Sequence, residues 1–290
     1  MNVLLENDFL KVEIVEKGAE LKRVNHKQTG LEYMWNGDPA FWGKTSPILF
    51  PIVGTLKNDK YLYNGNSYAL TRHGFARDSI FQVEEQKKEQ VIFLLRSTHT
   101  SHENYPFDFE LRVKYNLVED ILEVTYDVRN VGNDPLYFSI GGHPAFKVPL
   151  TAATKYEDYF LQFNEQEGLA RWPISAQGLI QEEPIPLLTN SSVLKLTRAL
   201  FKEDALVFKG LQSNRISIKS SLHNHGLDFY FEGFPYLGLW AAPGADFVCI
   251  EPWCGIADFV SHDQQLISKE GIQRIISQEL WHRIWKVRFF

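Results

Sequence analysis

The 290-residue sequence predicts an all-β protein, one large antiparallel β domain built as a sandwich or barrel. Three observations carry this. Period-two alternation of apolar and polar residues recurs along the chain, helical periodicity is scarce, and 14% of the residues are aromatic (21 Phe, 12 Tyr, 7 Trp). Aromatic side chains pack well on a pleated surface. The length suffices for a sizeable core. No glycine-serine linker, low-complexity segment or short repeat divides it, so residues 1–290 read as one domain.

The elements follow in order. Asn64-Gly65 is a tight-turn signal between residues 61–63 and 67–70, which makes them a hairpin. Residues 79–84 and 91–97 flank the polar turn QKKEQ. In 109–117, Phe109, Leu111, Val113, Tyr115 and Leu117 share one face, opposite Glu110, Arg112, Lys114 and Asn116. After Glu119-Asp120 the alternation resumes in 121–129, with Leu122, Val124, Tyr126 and Val128 inward. Two half-buried strands joined by a short polar turn form an antiparallel hairpin. Residues 214–222 and 227–232 flank HNHG, and residues 247–251 read as a strand that stops at Pro252. The tail WHRIWKVRFF sets Trp281, Trp285, Val287 and Phe289 on one side. Short helical turns are expected near 101–105 and 262–268. The stretch 164–190, rich in Pro, Gly and Gln, is long for a loop in a compact domain. It reads as a surface excursion or a wall of a site.

A formal net charge of −6 without a long run of one sign argues against nucleic acid or an anionic membrane as partner. The N-terminal residues lack the basic and apolar regions of a signal peptide, and no stretch approaches the ~18 apolar residues of a membrane span. Cys249 and Cys254 do not form a disulfide framework. A cytoplasmic protein is expected.

Three stretches set a titratable side chain beside glycine or proline. LTRHGFARD carries Arg72, His73 and Arg77; SIGGHPAF carries His143; FVCIEPWCGIAD carries Glu251. Alternation points Glu251 to the apolar face shared by Phe247 and Cys249, where a carboxylate is costly unless paired or used. Burial there raises a carboxyl pKa, which suits a general base. Gly141 and Gly142 remove side chains beside His143, which admits a ligand or another backbone. Arg72 and Arg77, beside a histidine in a cleft, could hold hydroxyls, a carboxylate or a phosphate. Each residue alone also fits a structural role: a hydrogen-bonded histidine, a capped strand end, a solvated arginine. His223-x-His225, His99-x-x-His102 and Cys249-x4-Cys254 lack metal or redox spacing. There is no Walker loop, GxSxG or GxGxxG. Neither metal nor cofactor is expected.

Taken in order, SPILFPIVG, RHGFAR, GGHPAF and IEPW resemble the aldose 1-epimerase (galactose mutarotase) family, in its LacX-like branch, over essentially the whole chain. The resemblance implies the large antiparallel sandwich of that family, no metal or cofactor, and interconversion of the α and β anomers of a free aldose. It implies roles too: Glu251 as the base that takes the C1 hydroxyl proton, and His143 as the acid that protonates the ring oxygen. His73 would steady charge near that oxygen. Asp204, with Asp228 as runner-up, would bind sugar hydroxyls. Arg72, Arg77, Phe75 and Trp253, inside or beside these motifs, are expected to contact substrate. The glycines beside His143 then read as clearance for the sugar ring, and the acid and base are expected on opposite sides of the anomeric centre. Where galactose mutarotases carry an arginine ahead of the histidine, this chain reads VGTLKND, with Lys57. Arg77 matches an arginine of the hexose-6-phosphate epimerase relatives, but their fuller arginine set is not found, which favours a neutral hexose over a phosphorylated one. A monomer or homodimer is expected. Two rival readings are a sugar-binding module without turnover and a glycosidase or lyase on a similar sandwich. A glycosidase needs a second carboxylate across the scissile bond, for which only Asp258 and Asp228 offer themselves.

Overall fold

The hairpin foreseen from alternation, Phe109–Val118 with Ile121–Asn130, lies within a nine-stranded antiparallel sheet. The computed structural model describes residues 2–290. The sheet runs Ser191–Lys195, Tyr159–Glu167, Arg215–Ser220, Leu227–Tyr230, Leu280–Phe289, Ile121–Asn130, Phe109–Val118, Gln90–Arg96 and Gln82–Gln86. Its inner face is built by period-two burial: Phe109, Leu111, Val113 and Tyr115 are all buried, and so are Val124, Tyr126 and Val128 of the adjoining strand. A second, six-stranded sheet packs against that face. It runs Leu206–Lys209, Tyr236–Trp240, Phe247–Cys254, Ile140–Gly142 and Ile48–Leu49, with Ala145–Lys147 also paired to Phe247–Cys254. An aromatic contact joins the layers, Phe146 to Phe229 at 5.9 Å between ring centroids, and Phe138, on the separate short strand Leu136–Phe138, meets Trp281 at 5.3 Å. A four-stranded N-terminal sheet, Asn2–Glu6 to Leu31–Glu32, adds Leu5, Leu10, Val12 and Ile14 to the same core.

The other hairpins also form: Lys60–Tyr63 with Asn66–Ala69, and Arg215–Ser220 with Leu227–Tyr230. Pairing next to QKKEQ begins at Gln82 rather than residue 79, because the chain leaves a 3-10 turn at Ala76–Asp78 and the strand is bulged between Val83 and Glu85. The helical turns shrink to His99–His102, capped by Thr98 and Ser101, and Leu266–Ser268. The stretch 164–190 is more ordered than foreseen. Tyr159–Glu167 runs into it, and Ala170–Arg171 pairs with Ile185–Pro186. Among the described residues, no helix is long and apolar enough to cross a membrane.

The strand foreseen to stop at Pro252 instead continues to Cys254 and is buried at every position. The neighbouring chain shows why proline is tolerated. It is a strand on either side of a break at His143-Pro144, pairing Gly141 with Trp253 and Ala145 with Cys249. Ile250 donates its N–H to Pro144 O at 3.3 Å. Two residues on, Pro252 turns its nitrogen to that same side, opposite Gly142 where that strand ends, so the missing N–H falls where pairing is already interrupted. The register held on both sides of the break places His143 directly opposite Glu251. Two prolines thus open one ladder position in the middle of a buried sheet, and the acid–base candidates occupy it.

Candidate active site

The outer face of the six-stranded sheet floors a cavity of about 460 Å³, within the ~300–1,000 Å³ usual for small-molecule sites. Glu251 is 1% exposed and His143 8%, and His143 Nε2 lies 3.3 Å from Glu251 Oε2. His143 is held by rings. Trp42 stacks on it at 4.8 Å and 28°, and Trp240 meets it edge-on at 5.7 Å. Its backbone N–H donates to Pro47 O at 3.1 Å.

His73 arrives from the loop on the cavity's other wall, its ring centroid 5.8 Å from that of His143. Gly54 N–H donates to His73 Nδ1 at 3.1 Å, so the neutral ring carries its proton on Nε2. His73 sits at φ 70° and Gly74 at φ 69°. A side chain at Gly74 would strike the Phe50 backbone, which is why glycine follows the histidine here.

Burial dominates the electrostatics. It pushes the Glu251 carboxyl well above the usual range; Arg72 pulls it back and Asp204 adds to the rise. It takes His143 down to about 3, with Arg72 adding to the fall. His73 is lowered well below an ordinary histidine, first by burial and then by His143 and Arg72. Near neutral pH these directions favour a protonated carboxyl beside a neutral imidazole, one proton for the pair. Glu251 Oε2, His143 Nδ1 and Trp253 Nε1 are buried without a hydrogen-bond partner, as expected of groups that await a polar ligand.

The structure brings seven of the eight predicted residues to this cavity: Arg72, His73, Arg77, His143, Asp204, Glu251 and Trp253. Phe75 is not among them. The left-handed backbone at His73 and Gly74 turns the chain so that Phe75 packs on Phe50, Tyr105 and Phe109 at 6.1–6.3 Å. Asp204 lies in a turn before Leu206–Lys209, 3.7 Å from Arg72. Asp228 accepts from Ser217 Oγ and does not line the cavity. Asp258, considered as a second carboxylate, is instead paired with Lys269 at 2.8 Å and bonded by Lys57 N–H at 2.9 Å.

The glycines of SIGGHPAF have a different use from the one foreseen. A side chain at Gly141 would strike the Trp253 indole, as would one at Gly238 on the opposite neighbouring strand. Gly142 faces the core, where a Cβ would lie 2.9 Å from Tyr126 Oη. The clearance is for Trp253 and for sandwich packing. The acid and base candidates also lie side by side rather than apart. Sequence reasoning missed Trp42 and Trp240. Alternation through Tyr236, Gly238 and Trp240 could have found the second; nothing in GDPAFWGKTS marks the first. The stretch 164–190 supplies a wall through Ile174, Gly178 and Ile180. A larger opening behind the same histidine loop, lined by Thr71, Phe75 and Asn104, holds no comparable acid–base pair.

Residues 1–269 match the family described as Aldose 1-epimerase. The chain belongs to the aldose 1-epimerase family. Within it, Protein LacX of Lactococcus lactis subsp. lactis, in plasmid and chromosomal forms, is 33% identical over 285 residues, 95% of each chain. The X-ray structure of a galactose mutarotase related enzyme from Lactobacillus acidophilus superposes with a TM-score of 0.96 at 34% identity, covering 100% of this chain and 97% of that one. A galactose mutarotase-like protein from Lactobacillus casei ATCC 334 gives 0.94 at 28% identity, with full coverage of both. The fold is the galactose mutarotase-like β-sandwich of these relatives, and family membership makes the protein an isomerase that acts on a sugar.

Proposed function

We propose that the protein interconverts the α and β anomers of a free aldohexose, with Glu251 and His143 as the proton-transfer pair. The observation that carries this is the buried contact of these two groups at the cavity floor, 3.3 Å apart. Ring opening must remove a proton from O1 and deliver one to O5. Both oxygens are bonded to C1, so two adjacent groups on one floor reach them together. The reacting charge state is Glu251 carboxylate and His143 imidazolium, reached from the neutral pair by moving its one proton from Glu251 to His143; Arg72 favours the carboxylate and opposes the imidazolium, and the sugar hydroxyls solvate both. Glu251 takes the O1 proton as His143 gives its own to O5, and the C1–O5 bond breaks. The pair is then neutral, the form that burial favours, so the site's own electrostatics stabilise the opened sugar. Rotation about C1–C2 and the reverse transfers close the ring on its other face. A well-placed acid or base contributes roughly 10²–10⁴-fold each.

The remaining residues position. His73 Nε2–H donates toward the ring oxygen as negative charge grows there. Trp253 offers its unpartnered Nε1–H and a flat ring face to the sugar, and Asp204 with Arg72 binds hydroxyls. A second reading, a hexose 6-phosphate as substrate, draws on Arg77 and Lys202, which both line the cavity, and on the buried Arg77 Nε, which makes no hydrogen bond and meets only Asp78, at 3.6 Å.

Two-dimensional exchange NMR over glucose, galactose and their 6-phosphates tests the proposal. Protein should raise α–β exchange above the spontaneous rate for at least one of the four. Exchange at the spontaneous rate for all of them, with binding intact, would leave a sugar-binding module as the function.

A further inference from the structure

We propose that His143, Cys249 and Glu251 form a binding site for one thiophilic divalent cation of the zinc type, and that filling it arrests turnover. Strand alternation sets Cys249 and Glu251 on the same face of Phe247–Cys254, and the register sets His143 opposite Glu251 and Ala145 opposite Cys249. One ligand atom from each of the three lies within 4.8 Å of the others. His143 Nε2 and Glu251 Oε2 are 3.3 Å apart. Apart from that contact Glu251 Oε2 is buried without a hydrogen-bond partner, and so is His143 Nδ1. No disulfide occupies the thiol.

The donor set selects the ion. One sulfur, one imidazole nitrogen and one carboxylate oxygen suit zinc and its softer neighbours, whereas calcium and magnesium take oxygen ligands. Zn–S near ~2.3 Å and Zn–N near ~2.0–2.1 Å put tetrahedral donors roughly 3.5 Å apart. The widest pair must close by about 1 Å, which side-chain rotation on the two strands supplies. The fourth position faces the cavity and is left for water. Cys249 is fully buried, so the ion enters through the cavity that His143 and Glu251 line. Binding forms metal–sulfur, metal–nitrogen and metal–oxygen bonds, releases the thiol proton and the proton of the acid–base pair to solvent, and changes no oxidation state. Thiolate and carboxylate then cancel the charge of the divalent ion, so a nearly dry site gains no net charge. The consequence for turnover rests on the proposed function, because the ion takes both members of the proton-transfer pair. The site itself rests only on geometry.

The test uses the metal-free whole protein and two variants, Cys249→Ala and Cys249→Ser, the second conserving volume. Titration with cobalt(II) should give one equivalent of bound ion with thiolate-to-metal charge-transfer absorption, displaced by zinc. Both variants should lose that absorption while keeping their thermal midpoint and anomer exchange. Half-inhibition by zinc should need at least about tenfold more metal in the variants, since even outer partners of metal ligands are worth 10–100-fold in affinity. A cobalt spectrum without the thiolate band, or variants as sensitive to zinc as the parent, overturns the proposal. If the parent exchanges no sugar at all, the proposed function fails, and the cobalt spectrum still decides the site.

Discussion

Glu251 is a carboxyl held where it is 1% exposed, and that placement has a cost that can be measured apart from activity. Its folded-state pKa lies well above 4.5 because of burial, so the folded protein keeps a proton that the unfolded chain releases. The stability this gives is present at low pH and is lost as pH rises through the folded value. His143 works in the opposite sense. Between its folded value of about 3 and the ordinary 6.5, the unfolded chain takes up a proton that the site refuses. Stability from this group therefore rises with pH across that window. Glu251→Gln removes the first effect and leaves the second. Calorimetry should show its thermal midpoint rising relative to the parent's between about pH 5 and pH 8; a midpoint that falls relative to the parent's over that range would contradict the buried, raised carboxyl. His73 needs a residue that tolerates positive φ, and asparagine does so better than most. His73→Asn should fold normally and lose about tenfold in exchange rate, less than changes at Glu251 or His143. A loss as large as theirs would move His73 into the proton-transfer step.

At the scale of elements, the strand Phe247–Cys254 carries Glu251 and Trp253 because its neighbours make room. Gly141 and Gly238 lie on the strands to either side, and each would meet the Trp253 indole if it bore a side chain. Gly238→Ala must therefore shift Trp253 toward the cavity. Overpacking of this kind costs about 1–3 kcal/mol, and the displaced ring sits where sugar is proposed to bind. KM should rise several-fold while kcat falls less; a normal KM with a lowered thermal midpoint would show the glycine to be purely a packing requirement. The sequence marked Gly141 as unusual but not what it cleared, and it did not mark Gly238. Local pattern shows that a side chain is missing, whereas the ring that fills the gap is set by pairing to another strand. Pro252 misled for the same reason. It ends a strand in isolation, yet here it faces Gly142 at the edge of the break in the neighbouring strand, and no local signal predicts that pairing.

At the scale of the molecule, the all-β class was legible because burial on one face writes period-two alternation into long strands such as Phe109–Val118 and Ile121–Asn130, though not into Phe247–Cys254, which is buried at every position. Strand order was not legible. Leu280–Phe289 pairs with Ile121–Asn130 and Leu227–Tyr230, and alternation shows which way a side chain points without naming the neighbour. Much of the site was legible in the same way, since Arg72, His73, His143 and Glu251 each stand beside a residue that breaks regular structure or on a face where charge is costly. Trp42 also stands beside a glycine, Gly43, but bears no titratable group, and its place against His143 arises only from the folded loop. The central claim, that a buried carboxyl and imidazole on one sheet turn over a free sugar, is tested most directly by anomer exchange in Glu251→Gln beside a binding measurement on the same preparation. The account predicts exchange slowed by roughly 10²–10⁴-fold with sugar affinity within a few-fold of the parent. Exchange at the parent rate in a variant that still binds sugar would contradict it.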